Sequence, residues 1–146
     1  MGAMSTVRVA IAGSSGSIGT QTLDVVRAEA GADEVVALGV GSSVDVLIEQ
    51  ALEFRPQVVA VGDPAQRARV AEALPFAEVV GDLTALVEPA DVVVNAVVGF
   101  AGLPVTVETL RAGRRLALAN KESLIAAGPV VQPLRNVPGA EIVPVD

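Results

Sequence analysis

At 146 residues the chain is long enough for one domain with a substantial core, and 51% of it is apolar. With no Cys and no His, disulfides, thiolate or imidazole metal sites, a cysteine nucleophile and a histidine base are all excluded. A net charge of −7 opposes nucleic acid and anionic membranes as main partners, and no apolar run reaches the ~20 residues of a membrane span. The three Phe are the only aromatics, so the core must be built from Val, Ala and Leu. No secretory signal opens the sequence, which reads as cytoplasmic. The start, MGAMST, fits a myristoylation pattern, but Met4 is also a plausible start. Residues 1–3 are therefore read as a cloning remnant ahead of a domain over 4–146.

Strands are expected near residues 7–12, 35–40, 58–61, 92–97, 116–119 and 142–145. Most are continuous Val, Ile, Ala or Leu, the pattern of parallel strands covered on both faces. Helical spacing runs over 17–30, 44–54, 65–74, 103–112 and part of 122–135. Pro64 and Pro104 suit first helical turns, and Gly113 suits a helix end. Residues 76–88 read as a short edge strand and one helical turn. The alternation implies an α/β fold: Rossmann-like and doubly wound, with a mainly parallel sheet of about six or seven strands and helices on both faces.

Between the first strand and the first helix lies Gly13-Ser14-Ser15-Gly16-Ser17-Ile18-Gly19. A phosphate-binding turn must reverse tightly, bring backbone close to a pyrophosphate and start a helix. Gly13 permits the turn, Gly16 the close approach and Gly19 the helix–strand packing, and the helix N-terminus offers unpaired N–H groups. Ser15 and Ser17 add hydroxyl donors. The spacing is GxxGxxG rather than the commoner GxGxxG, so a bare strand-to-helix turn is the alternative reading.

In NAD-specific folds an acidic residue ends the second strand and receives the ribose hydroxyls. Here Gly41, Ser42 and Ser43 occupy that place; Asp33 and Glu34 precede the strand, and Asp45 falls inside the next helix. This favours NADP, although no arginine sits beside the serines in sequence. Both serines can equally cap the helix. Asn95, Gly99, Asn120 and Asp146 follow later strands, so a parallel sheet brings them to the edge that carries the glycine loop. Lys121 is the only lysine among ten basic residues. It reads equally as a ligand contact or as a surface partner of Glu122.

Three segments, GSSGSIGTQTL from Gly13, LALANKESL from Leu116 and the ending IVPVD, resemble the 1-deoxy-D-xylulose 5-phosphate reductoisomerase family. NKES is the stronger marker. The family makes 2-C-methyl-D-erythritol 4-phosphate, a step of non-mevalonate isoprenoid synthesis. It does so by a metal-assisted rearrangement to an aldehyde, followed by reduction with NADPH. The resemblance implies that Ser15–Ile18, with Gly13 and Ser14, hold the cofactor pyrophosphate. It places Gly41, Ser42 and Ser43 around the adenosine ribose phosphate, and Val97, Val98 and Gly99 near the nicotinamide. Asn120 and Glu122 become cofactor contacts, Lys121 a substrate contact, and Asp146 the first carboxylate of a Mg²⁺, Mn²⁺ or Co²⁺ site. The family commonly has Thr at Ser15 and a longer polar side chain at Ser42 or Ser43.

Members of this family are more than twice as long and form homodimers. The chain therefore reads as an isolated NADPH-binding domain, without the catalytic and C-terminal domains. It is expected to bind NADPH, not to turn over the phosphorylated sugar, and to self-associate to some degree. Two other readings are an acyl-phosphate-type NADP dehydrogenase domain, which needs a cysteine, and a nucleotide-sensing regulatory domain, which leaves NKES unexplained.

Overall fold

Seven strands pair into one wholly parallel sheet in a computed structural model that describes residues 6–29, 31–119 and 128–144. In chain order the strands are β1 (Val7–Ala12), β2 (Asp33–Val40), β3 (Val58–Val61), β4 (Glu78–Val80), β5 (Val92–Asn95), β6 (Arg115–Leu118) and β7 (Glu141–Pro144). Their spatial order is β4-β3-β2-β1-β5-β6-β7. The chain winds outward from β1 to β4, then returns to the other side of β1 and winds outward again. Ligands of open α/β sheets bind where that reversal opens a crevice, at the carboxyl ends of β1 and β5.

The helices are α1 (Ser17–Ala28), α2 (Val44–Phe54), α3 (Arg67–Ala73), α4 (Leu103–Arg111) and the single turn α5 (Gly128–Val131). Leu23 and Val26 of α1, Leu47 and Ala51 of α2, and Val70 of α3 pack with Ile11, Leu38, Val59 and Val94 on one sheet face. Beneath the other face lie Val105 of α4 and Leu86 of a 3₁₀ turn, Leu83–Leu86, against Ala10, Ala60 and Val93. Leu110, Leu116, Leu118 and Val131 extend that layer toward β7. Buried Val, Leu, Ile and Ala fill both layers, as the scarcity of aromatics requires.

The expected strands and helices each have a counterpart, with most boundaries moved by one or two residues, while residues 122–127 of the last helical stretch lie outside the described residues. β2 begins at Asp33, so Asp33 and Glu34 are its first residues rather than its preamble; they remain at its amino end. The stretch expected to be helical from 65 splits into a 3₁₀ turn, Pro64–Gln66, capped by the Asp63 carboxylate on Ala65 N–H (3.0 Å), and α3. The strand expected over 92–97 ends at Asn95. The short edge strand and helical turn expected within 76–88 are β4 and Leu83–Leu86.

Between β1 and β2 the pairing slips: Val9 faces Val35, but Ala10 faces Ala37. Val36 is thus an extra residue, a bulge that is uncommon between parallel strands. It shares a core layer with Ala37, while Val35 and Leu38 face the opposite layer. At the amino edge, Arg8 and Asp91 tie β1 to β5 by reciprocal bonds: Arg8 N–H donates to the Asp91 carboxylate (2.9 Å) and Asp91 N–H to the Arg8 carbonyl (2.8 Å). The first of these bonds holds the Asp91 carboxyl below the usual carboxylate range.

Candidate functional site

Gly13 leaves β1 at φ +81°, a conformation that a side chain disfavours. A Cβ there would also lie 2.9 Å from the Ala96 carbonyl carbon, so the loop is pressed against the exit of β5. Its backbone is fastened to β2 as well: Gly13 N–H (2.9 Å) and Ser14 N–H (3.1 Å) both donate to the Gly39 carbonyl. At Gly19 a Cβ would fall 2.5 Å from the Gly13 carbonyl oxygen and 2.6 Å from Ser14 Cα. Here α1 and the loop touch backbone to backbone. Gly16 differs: its nearest neighbour would be the Gly13 oxygen at 3.7 Å, and its backbone is extended (φ −79°, ψ 179°). Among the described residues, no packing demands a glycine there and nothing closes the space outside it.

Gly16 caps α1 without any side-chain hydrogen bond, and no acidic residue occupies the helix's first turn. The first amides of a helix have no partner within it, so these N–H groups face the carboxyl edge with the positive end of the helix dipole. Ser15 is half-buried and Ser17 exposed, with Ser17 Oγ accepting from Gln21 Nε2 at 3.4 Å. Ser14, expected at the cofactor, is buried and its N–H is given to the Gly39 carbonyl, so it shapes the loop and is not presented to a ligand.

Two residues fix these loops: one that the sequence did not single out, and one, Asn95, that it set at the ligand edge. Gln50 of α2, 9% exposed, donates from Nε2 to the Ser14 carbonyl at 2.9 Å. It lies on the buried stripe of Val44, Leu47 and Ala51, where a glutamine among apolar residues is itself the signal that reading by motif passes over. Gln50→Leu strands a buried carbonyl and should cost about 1–3 kcal/mol, read as a shift in urea midpoint with unchanged slope. The second residue is Asn95, 2% exposed. Its Nδ2 donates to the Gly102 carbonyl (2.8 Å) and the Thr106 hydroxyl (3.0 Å), and its Oδ1 accepts from Val97 N–H (3.2 Å). Asn95 is therefore spent on shaping the 96–102 loop and is not presented to a ligand.

That loop carries Val97, half-buried, then Val98 and Phe100, 83% and 74% exposed, with Gly99 between them at φ +74°. It stands beside the glycine loop through the Gly13–Ala96 contact. On the other flank, Gly41, Ser42 and Ser43 follow β2 and are exposed, and a Cβ on Gly41 would meet nothing within 4 Å. A recess of about 350 Å³ is lined there by Ser42, Ser43, Val44, Asp45, Val46, Gln66 and Arg69. The sequence offers no arginine adjacent to the serines, but the fold supplies one from α3. Arg69 pairs with Asp45, which stands in the first turn of α2.

The profile of one family, 1-deoxy-D-xylulose 5-phosphate reductoisomerase, matches residues 9–128. The chain belongs to that family. Reductoisomerases of Gloeobacter violaceus and Agathobacter rectalis are 44% and 43% identical over 94% and 95% of this chain. It spans 38% of the length of each. Among solved structures, the reductoisomerase of Zymomonas mobilis in complex with NADPH superposes with a TM-score of 0.88 at 33% identity, over 97% of this chain and 39% of that one. A DOX-P reductoisomerase in complex with NADPH, fosmidomycin and magnesium gives 0.88 at 36% identity, over 94% and 36%. An NAD-binding oxidoreductase from Klebsiella pneumoniae, 18% identical with a TM-score of 0.51, shares the fold alone.

Membership of the reductoisomerase family sets aside the acyl-phosphate dehydrogenase and nucleotide-sensing readings. Of the expected site residues, the fold brings Gly13 to Ile18, Gly41 to Ser43 and Val97 to Gly99 to the carboxyl edge of one sheet. Asn120, Lys121, Glu122 and Asp146 lie outside the described residues. Among the described residues no group of three or more His, Cys, Asp or Glu is placed to hold a metal ion. No described helix is long and apolar enough to cross a membrane.

Proposed function

We propose that residues 4–146 form the NADPH-binding domain of a reductoisomerase that converts 1-deoxy-D-xylulose 5-phosphate to 2-C-methyl-D-erythritol 4-phosphate. One observation carries the proposal: an acid-free helix start with no side-chain cap, beside a glycine that no described residue covers, set at the reversal point of the sheet. Backbone amides of Ser15, Ser17 and Ile18 would hold the pyrophosphate, which the net negative field of the chain would otherwise repel, on a loop whose Gly13, Ser14 and Gly16 amides are spent on internal bonds. Gly41, Ser42 and Ser43 would take the adenosine ribose phosphate. Val97, Val98 and Gly99 would line the nicotinamide end, an apolar loop that keeps water from the transferring carbon. When bound, NADPH supplies the hydride.

Asn120 and Glu122 are assigned to the cofactor and Lys121 to the substrate, on the NKES motif. The described residues do not build a divalent metal site. Asp146 is at most one of its carboxylates, and a hard divalent cation needs several oxygen ligands. A cytoplasmic location and a homodimer follow for the whole enzyme by the same reading.

The test is a titration of this chain with NADPH and NADH, followed by nicotinamide fluorescence. Saturable binding at one site per chain, tighter for NADPH, is the expected result. Adding 1-deoxy-D-xylulose 5-phosphate with Mg²⁺ or Mn²⁺ should oxidise no NADPH. Absence of saturable binding overturns the cofactor assignment; metal-dependent oxidation overturns the restriction to cofactor binding.

A further inference from the structure

We propose that Arg69, brought from α3 to the end of β2, is the residue by which this chain distinguishes a 2′-phosphorylated adenosine ribose from an unphosphorylated one. The inference rests on the cofactor assignment above and adds to it a residue that neither the glycine loop nor the NKES motif indicates. In a chain of net charge −7, a local cation is what would favour a 2′-phosphate dianion over a bare ribose. Ser42 and Ser43 offer hydroxyls but no charge. Arg69 lines the same 350 Å³ recess, and its planar fork matches two phosphate oxygens at once.

The neighbouring arginine cannot take this part. Arg67 is already committed to the end of β3, donating from Nε to the Val61 carbonyl (2.9 Å) and from a terminal nitrogen to the Gly62 carbonyl (3.2 Å). Arg69 meets Asp45 instead, and the two side chains are 57% and 79% exposed. An ion pair that open to water is worth little, so exchanging the carboxylate for a phosphate costs little. Asp45 then has two effects. It keeps the guanidinium at the recess while no ligand is bound, and it competes with the ligand for it.

The experiment compares wild type, Arg69→Ala, Arg69→Lys and Asp45→Asn by calorimetry, with 2′,5′-ADP against 5′-AMP and NADPH against NADH. All three substitutions are at exposed positions, and circular dichroism confirms the fold. The preference for the 2′-phosphate should fall about tenfold in Arg69→Ala, with 5′-AMP and NADH unchanged within twofold. Arg69→Lys should recover part of it, and Asp45→Asn should tighten 2′,5′-ADP by a few-fold. An unchanged preference in Arg69→Ala, or an equal loss for both members of a pair, overturns the proposal while leaving the cofactor assignment intact. Conversely, an Arg69-dependent preference for 2′,5′-ADP without dinucleotide binding supports the 2′-phosphate site and overturns the dinucleotide assignment.

Discussion

Replacing Gly19 by alanine should destabilise the fold by about 3 kcal/mol, lowering the thermal midpoint by roughly 10 °C. The new methyl would sit 2.5 Å from the Gly13 carbonyl oxygen and 2.6–2.7 Å from Ser14 Cα and carbonyl oxygen. All three atoms are backbone, so no side-chain rotation relieves the clash. The loop is also fastened to the Gly39 carbonyl by two hydrogen bonds and to Gln50 by a third. Relief must come from α1, whose Leu23 and Val26 are buried against the sheet. Lifting the helix opens that packing, and the ~1 kcal/mol that alanine gains over glycine in a helix does not compensate. Gly41→Ala is the control. With nothing within 4 Å of its Cβ position, it should leave the midpoint within experimental error. Equal thermal midpoints for Gly19→Ala and wild type would show that the helix–loop contact is not the constraint described.

Gly16→Val should do the reverse, abolishing cofactor binding while the protein stays folded. The extended backbone at Gly16 accepts a β-branched residue, and its nearest neighbour is 3.7 Å from the Cβ position. The cost in stability is that of a poorer helix cap, about 0.5–1 kcal/mol. The isopropyl group would fill the space through which a pyrophosphate must approach the helix amides. NADPH affinity should drop at least ~100-fold, equivalent to about 2.7 kcal/mol or more of lost binding. Calorimetry checks the affinity, and a urea melt checks that stability is retained. Binding within threefold of wild type would mean that the phosphate lies elsewhere on the edge.

The layered fold was legible because most of its strands are largely apolar runs of four to eight residues set off by glycine and proline. Even the weak stretch before Glu88 was readable, since Glu78–Val80 and Leu83–Leu86 are separated by Gly81 and Asp82. Boundaries failed where a side chain replaced a ladder bond. β5 stops at Asn95 because the Asn95 amide takes over the Val97 N–H and the Gly102 carbonyl. Nothing in the run Val92-Val93-Val94-Asn95-Ala96-Val97 distinguishes that outcome from two further strand residues.

Within the candidate site, the turn at Gly13 and the packing at Gly19 could be read from spacing, because both are local demands on neighbouring residues. Arg69 could not. It lies 26 residues beyond Ser43 in sequence, and only the packing of α3 beside α2 places it at the recess. Gln50 falls between these cases: its helical position was readable, but its acceptor 36 residues away was not.

The bulge in β2 has a consequence for chain length. On either side of Val36 the side chains alternate as if it were absent: Val35 faces one layer, Ala37 the other, Leu38 the first again. Val36 is therefore slack, a spacer that can be removed without changing which way any later residue of the strand points. Its loss would forfeit one buried valine and the acceptor of Gln57 N–H. Gly39 would still offer its carbonyl to both loop amides. Two chains differing by one residue here can share the same glycine loop, whereas a deletion at Leu38 would have to shift the bulge before the loop could find its anchor.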